Sequence, residues 1–346
     1  MLDKLRSFYK VLGLPRAIIL AFLTILIVLA RAYQIPLPAL MSALLVRVGM
    51  NGIFVLAMLP AIVSGIGPNF GLPLGILGGL VGLLLAIEWN LTGLTAIGVA
   101  IATGLPLAIL TGMAYGWLLN KVKGSEMMVS TYVGFSIVSL MNIAWILLPF
   151  QSPAMRWPIG RGLRVTIALA GRFDEVLNNV LLFSVGGVTF PTGLLLAFAL
   201  LCVLMWLFLR SRTGIAMKAV GDSRQFAVAS GLNVDKNRIL GTVLSTALGA
   251  IGIVIFSQGL GFVQLYEAPM FMGFAAVASI LIGGATVRKA TISHVILGAI
   301  MFQGLLVIAL PVANKIITVG GVAEITRLIV SNGIILYALA QVGGGE

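Results

Sequence analysis

Charge is scarce in this chain of 346 residues. Only 9% of them are Asp, Glu, Lys or Arg, and 60% are hydrophobic. Ordinary soluble domains carry roughly 25% charge, so a water-facing surface of this size cannot be built here. Lipid must be the main solvent, which leaves helices or a closed barrel as spanning elements. Barrel strands alternate apolar and polar residues in pieces of roughly 10. The apolar runs here are continuous and about 20 residues long, the length of a spanning helix. A single cysteine, Cys202, excludes an internal disulfide and any multi-cysteine metal site. It lies within an apolar run, where a thiol is buried and inert. The one histidine, His294, opens a span beside Arg288 and Lys289 and suits an interfacial or packing place better than a ligand's. The sequence has no GxxxxGK[ST], HExxH or GxSxG pattern, so it lacks the usual nucleotide, zinc and acyl-transfer sites. Its acidic residues lie mostly in loops, and only Glu88 stands at the end of a span. Ion-coupled carriage needs a titratable or charged group within the membrane, and no carboxylate is placed for it. Arg47 is the one intramembrane charge, with a stem long enough to reach an interface.

What is present is a regular succession of apolar runs. Ten spans are expected, at 17–33, 39–63, 72–88, 93–119, 127–148, 189–209, 239–258, 270–286, 291–312 and 326–341. Together they make an all-α polytopic membrane protein with one transmembrane domain over 1–346. The N-terminal run lacks a small-residue cleavage site and reads as an uncleaved first span. The net charge of +12 is no nucleic-acid signature, because the basic residues sit at span ends rather than along one face. With the N-terminus inside, 14 basic residues face the cytoplasm and 7 face outward. Four of the outer ones share the long loop 149–188, and long loops cross largely regardless of charge. An even number of spans then places both termini in the cytoplasm.

Three segments depart from the pattern. Arg210–Arg238 is a basic, 29-residue interruption between two spans, whereas a plain helix connection needs about 2–8 residues. It contains helix formers, and Gly221 and Gly231 bracket a short helix. A helix held under a membrane by two spans suggests a docking surface for a soluble partner. In the outer loop, residues 160–182 are amphipathic enough to lie on the membrane as an interfacial helix, and are a candidate landing site for a delivery protein. Gly67, Gly71, Gly75 and Gly79 recur every four residues, flanked by Gly78 and Gly82, which lets a neighbouring helix approach closely. Gly67, Pro68, Asn69 and Pro73 also break helix regularity, which is tolerated at membrane depth only inside protein or along a cavity.

A chain with no fuel site, no ion-coupling site and a cytoplasmic docking loop suggests a permease driven by a separate ATPase. The residues agree with that reading. KAVGDSRQFAVASGLNVDKNRILG resembles the permeases of bacterial ABC importers for simple sugars, nucleosides and branched-chain amino acids. Ala219, Gly221, Ser223, Ala227, Ser230, Gly231, Leu232, Asn233 and Val234 carry the likeness. ILIGGATVRKATISHVILGAIMFQGLL keeps Gly283, Gly284 and Gly298 of a second family stretch, and ILTGMAYGWLLNKVKGSEMMVSTYVGF keeps Gly112, Gly116 and Thr131 of a third. SGIGPNFGLPLG is similar to the sugar branch's T-G-G-I-D-L-S-V-G, with Asn69 standing in place of the Asp.

The resemblance covers about 40–310 and implies a bacterial cytoplasmic-membrane permease that works as a homo- or heterodimer. It implies ATPase subunits inside, which hold ATP and Mg, and a substrate-binding protein outside. It implies inverted-repeat halves, spans 2–5 and 7–10. Lys218, Gly221, Asp222, Arg224, Phe226 and Gly231 would then contact the ATPase. Arg156, Arg161, Arg164 and Arg172 would complement acidic lobes of the binding protein. An importer fed by a tight-binding partner needs only a weak site, so sparse amides and aromatics are expected along the pathway. Asn51, Asn69, Phe70, Asn142, Gln258 and Gln303 are the candidates. Neutral amides suit hydroxyls or nucleobase edges, so a simple sugar or nucleoside is the expected cargo. A branched-chain amino acid is the close variant, and an ion-coupled secondary transporter or a membrane enzyme is a more distant one.

Overall fold

A computed structural model describes residues 14–158 and 162–316, together with positions 325, 328–329, 332–333 and 335–336. Long apolar runs become α1 (Leu14–Ala32), α2 (Leu37–Val63), α3 (Pro73–Glu88), α4 (Gly93–Lys121) and α5 (Glu126–Leu147). After the outer loop come α7 (Thr192–Arg210), α10 (Val234–Leu260), α11 (Ala268–Ile282) and α12 (Ile292–Ile316). These nine helices coincide with the first nine expected spans. Six of the described helices are long and apolar enough to cross a membrane, while α3 and α11 are shorter apolar helices of 16 and 15 residues. The tenth expected span lies largely outside the described residues, as does the N-terminal tail. The result is an all-α multi-pass membrane protein.

Burial sorts the helices by place. The apolar window of α2 is 83% buried and that of α5 only 17%, so α2 is central and α5 presents its apolar side chains outward. The short α3 is buried nearly all round, as a helix without a polar face must be. Its glycines split into two faces. A methyl group at Gly75 or Gly79 would overlap the carbonyls of Thr246 and Ala250 on α10. One at Gly78 or Gly82 would meet Ala108 and Ala100 on α4. The stripe is therefore a packing device on both sides, bringing three backbones together as small residues do in lipid.

The connections gather in two layers. On one side, Lys123 pairs with Asp235 at 2.6 Å and Arg238 with Glu126 at 2.5 Å, joining the α4–α5 turn to the start of α10. Gly65 and Gly67, after α2, lie on that side against Gly221 and Val287. On the other side, Gly93 N–H donates to the Arg172 carbonyl (2.9 Å) and Thr189 N–H to the Ser42 hydroxyl (2.8 Å). Lys121 stacks on Trp117 at 3.6 Å and Arg210 on Trp206 at 3.7 Å, both at helix ends on the basic side. Such aromatic and basic pairs belong to a membrane–water interface.

The outer loop corrects an expectation. The described part of 160–182, residues 162–182, does not form an interfacial helix. It contains β1 (Thr166–Ala168), which pairs antiparallel with β4 (Phe262–Gln264), and the four-residue α6 (Val176–Asn179). The reason lies in the pattern: Ile167 and Leu169 alternate with Thr166 and Ala168, a strand's period of two. Gly162 and Gly171, at φ 101° and 74°, turn the chain where a helix would have continued. Ile167, Leu169 and Phe173 are buried against the helix ends, so the loop is a plug. A hairpin, β2 (Phe183–Val185) with β3 (Val188–Phe190), precedes α7.

The two-layer arrangement predicts opposite accessibility for single cysteines at Ser223 and Asn314 in a Cys202→Ala background. An impermeant maleimide applied to intact cells should label Asn314→Cys and leave Ser223→Cys unmodified until the membrane is opened. Labelling of both positions in intact cells would overturn the arrangement.

Candidate functional site

Where the middles of α2, α11 and α12 meet the last turns of α10, the helices line a cavity of about 70 Å³. Asn51, Phe54 and Val55 line it from α2, Phe256 from α10, and Gln303 from α12. α11 contributes Met272, Ala275, Ala276 and Ser279. None of these residues is charged. Ser279 is 1% exposed, and its hydroxyl has no hydrogen-bond partner among the described residues. Gln303 is 5% exposed, and no side-chain hydrogen bond forms there among those residues. The Asn51 amide Nδ2 donates one turn back to the Arg47 carbonyl at 3.0 Å. Phe54 and Phe256 lie 5.8 Å apart at a 54° tilt. Buried polar groups normally find partners. Here an amide and a hydroxyl without one share a void with room for about two waters, at ~30 Å³ each.

Asn69 and Gln258, two other pathway candidates, are committed to structure. The segment Ser64–Leu72 links α2 to α3 and is almost wholly buried. Asn69 Nδ2 donates to Ser245 Oγ at 2.7 Å. Its Oδ1 accepts from Gly71 N–H and from the Tyr115 hydroxyl, both at 2.9 Å. Gln258 Oε1 accepts from Leu177 N–H at 3.0 Å and Nε2 donates to the Ile255 carbonyl at 3.2 Å, so this amide seats α6 on the end of α10. Phe70 packs against Phe274, centroid to centroid 5.2 Å. Asn142 lines a separate outer cavity of about 460 Å³ with Gln264, Tyr266 and Glu267. The structure therefore brings Asn51 and Gln303 together and keeps the other four apart from them. Phe54, Phe256, Met272 and Ser279 were not legible as partners. The one signal available was a serine placed mid-run among small residues of α11.

The basic island folds as α8 (Arg212–Asp222) and α9 (Arg224–Ala229). Ser211 and Ser223 cap them by accepting from Gly214 N–H (3.2 Å) and Phe226 N–H (3.3 Å), and Asn233 caps α10 by accepting from Lys236 N–H (2.9 Å). Gly231, at φ 73°, turns the chain between α9 and α10. α9 buries only Ala227, while Phe226 is 63% exposed beside exposed Arg224 and Val228. Lys218 and Asp222 are exposed on α8. Phe226 is thus a large aromatic side chain standing out beside a basic one at the basic end of the helices. Beside Asp222, at the end of α8 that adjoins α9, Gly221 touches the buried segment itself. A side chain there would overlap the Val63 carbonyl and crowd Gly65 N, and Gly65, at φ 78°, has its own Cβ position 3.0 Å from Gly221 Cα. The exposed island and the buried segment after α2 are one packed unit.

On the outer face, Arg156 is exposed and donates to Gln151 Oε1 at 3.1 Å, and Arg164 Nε donates to the Arg156 carbonyl at 2.9 Å. Arg172 is partly withdrawn, with a buried Nη1 that has no hydrogen-bond partner among the described residues. Arg161 lies outside the described residues. Glu88 accepts from the Gln151 and Ser152 N–H groups, so it pins the start of the outer loop. Burial raises the Tyr266 hydroxyl above its ordinary pKa, so it stays protonated and donates to the Leu163 carbonyl at 2.9 Å.

The family described as "Branched-chain amino acid transport system / permease component" matches residues 17–339. The chain is a member of that permease family. Among curated proteins it is 33% identical over 137 residues to the tyrosine transport system permease protein of Clostridioides difficile (strain R20291), covering 36% of this chain and 45% of that one. It is 23% identical over 193 residues to the nucleoside ABC transporter permease protein NupB of Lactococcus lactis subsp. cremoris (strain MG1363), covering 52% and 50%. It is 24% identical over 225 residues to the high-affinity branched-chain amino acid transport system permease protein LivH of Escherichia coli (strain K12), covering 64% and 70%. The chain thus spans about half the length of the first two relatives. No solved structure matches it at comparable significance.

The division of polar groups in this permease has a thermodynamic test. Asn69→Leu removes three hydrogen bonds from buried backbone and side chains and should cost about 2 kcal/mol or more. It should lower the melting temperature in detergent by several degrees, and Gln258→Leu should do the same. Ser279→Ala and Gln303→Leu remove no bond and should leave the midpoint unchanged or raise it. Equal losses for all four variants would refute the distinction.

Proposed function

We propose that this chain is the membrane-spanning subunit of an ATP-driven importer, and that its cargo is a neutral, hydroxyl-bearing solute, a nucleoside or a simple sugar. The observation that carries this reading is the midspan cavity, where an amide and a hydroxyl without internal partners meet two phenyl rings and no charge. Uncharged donors and acceptors fit hydroxyls and base edges, and phenyl faces fit a nucleobase or the apolar face of a sugar. In its closed form the cavity is far too small for such a cargo, so the helices must part to pass it. That suits transient contact rather than storage, as delivery by a tight-binding protein requires.

A second reading has its own support. The tyrosine permease relative has the highest identity of those above, at 33%. Under this reading the cargo is an amino acid whose ammonium and carboxylate are met by helix ends rather than by side-chain charges.

ATP hydrolysis falls to separate subunits that bind ATP and Mg, since this sequence has no phosphate-binding loop of its own. α9 is the docking helix, Phe226 its knob and Arg224 its charged flank. Movement imposed there passes through Gly221 to Gly65 and the buried segment. A substrate-binding protein meets the outer plug, a second permease subunit completes the transporter, and both termini of this chain lie in the cytoplasm. The element pattern supports inverted halves. Two 27-residue helices, α2 and α10, each give way to irregular backbone on opposite sides. Each is followed by a short helix with proline in its first turn, Pro73 in α3 and Pro269 in α11.

Uptake of radiolabelled ribose, galactose, uridine, adenosine, tyrosine and leucine by the complete transporter tests the cargo. Saturable entry of a sugar or nucleoside is expected, and transport restricted to amino acids would replace the first reading by the second. Alanine at both Arg224 and Phe226 should cut uptake more than tenfold and release the ATPase from the purified complex, with membrane abundance unchanged. Normal uptake by this double variant would remove α9 from the contact.

A further inference from the structure

The midspan cavity and the outer cavity share a helix. Ala268 of α11 lines the outer cavity, and Met272, Ala275, Ala276 and Ser279 line the inner one. At about 100° per residue these five positions fall within about 100° of arc, a single helix face. Met272 stands about 6 Å below Ala268 along the axis and Ser279 about 16 Å below it. The other faces of α11 are engaged elsewhere. Gly273 lies against Phe70, Leu72 and Pro73, Phe274 packs on Phe70 and Phe135, and Phe271 is 64% exposed. The face toward the cavities is made of alanine, methionine and serine, and it ends on the buried Ser279 hydroxyl that has no partner among the described residues.

The outer end of this face has fixed walls. β1 and β4 hold Val165 opposite Leu265, whose N–H donates to the Val165 carbonyl at 3.0 Å. Tyr266 takes the left-handed conformation at φ 57° and is tethered through its hydroxyl to the Leu163 carbonyl. Strain of this kind, in a non-glycine residue, is held only where surrounding structure over-determines it. The acceptor presented is the exposed Glu267 carboxylate, which has no ion pair among the described residues, and Asn142 lines the same cavity with its Oδ1 buried and without a hydrogen-bond partner there. Gln264 adds an exposed amide.

We propose that this outer cavity is an entry station for donor-rich solutes and that the Ala268–Ser279 face of α11 is the track from it to the midspan cavity. The station takes hydroxyl or N–H donors, as a sugar or a ribose supplies, on the Glu267 carboxylate and the Gln264 amide. The solute then slides along small side chains that offer no deep hold, with Met272 as the one flexible element, and reaches the Ser279 hydroxyl and the Gln303 amide. This rests on the importer reading for the direction of travel, while the route itself is a property of the helix face.

Single cysteines at Ala268, Met272, Ala275, Ser279, Phe271 and Phe274, in full-length protein with Cys202→Ala, test the route. A small, membrane-impermeant methanethiosulfonate is applied from the outer side of the reconstituted complex, with and without trapped nucleotide. The four track positions should react, the deeper ones in only one nucleotide state, while Phe271→Cys in the lipid face and Phe274→Cys in the packed face stay at least tenfold slower. Reaction at Ala268 alone in every state would make the outer cavity a blind pocket and overturn the track. Equal reaction at Phe271→Cys and Met272→Cys would overturn the assignment of faces. For the station, Glu267→Gln should raise the half-saturating concentration for uptake about fivefold with little change in maximal rate. An unchanged half-saturating concentration would overturn its role. Labelling needs no transport, so this pattern together with absent uptake of every solute would count against the importer reading alone.

Discussion

Irregular backbone at membrane depth has no water to satisfy it, and each unsatisfied group there costs several kcal/mol. The segment Ser64–Leu72 meets that constraint, and much of the molecule is arranged around the way it does so. One side chain, Asn69, supplies an acceptor to Gly71 N–H and to the Tyr115 hydroxyl and a donor to Ser245. Its partners stand on α4 and α10, so the position of α3 is fixed against both neighbours by the same amide. Close approach is a condition of this arrangement. It is available because Gly75 and Gly79 admit the α10 backbone and Gly78 and Gly82 admit α4. Packing and polar satisfaction are thus a single requirement here, since loss of the glycine contacts would move the hydrogen-bond partners out of reach.

The same constraint divides the buried amides into two kinds. Gln258 and Gln303 both sit in apolar helices and both are nearly inaccessible, at 0% and 5% exposure. Gln258 is used to hold α6 and the outer plug. Gln303 faces a void together with Ser279, and neither group is used by the fold among the described residues. A protein interior tolerates unpaired polar groups at a cost of about 1–3 kcal/mol each. Retaining two of them in one cavity is intelligible if something other than the protein completes them.

How far this could be read from the sequence depended on the range of the interaction. Run lengths set the helices, and Pro68 and Pro73 flanking Asn69 announced the broken segment. The island's helix formers and the bracketing Gly221 and Gly231 pointed to the short helix Arg224–Ala229, while Arg212–Asp222 and the Ser211, Ser223 and Asn233 caps came only with the structure. The outer plug was misread, because the alternation around Ile167 is short and its partner strand is at Phe262–Gln264, almost a hundred residues on. The meeting of Asn51 with Gln303 and Ser279 was not legible either. Nothing local distinguishes an amide that faces a cavity from one that bridges helices, and the lining of this one is drawn from four helices.

Charge placement completes the logic of a neutral interior. Glu126 and Arg238 pair with side chains only 14% and 7% exposed, at the edge of the bundle where α5 and α10 begin. Glu88 is taken up by the outer loop's backbone N–H groups. Each strong local charge among these is spent on fastening one layer of connections to the helix ends. A charge left along α11 would have bound a counter-ion or a charged solute tightly and slowed its release, since desolvated ion pairs gain strength as water is excluded. Apart from Arg47 on α2, fixed charge gathers at the two rims, and no charged side chain lines the cavity among α2, α10, α11 and α12; weak attraction there with fastening at the rims is what a passage that must both admit and release a solute requires.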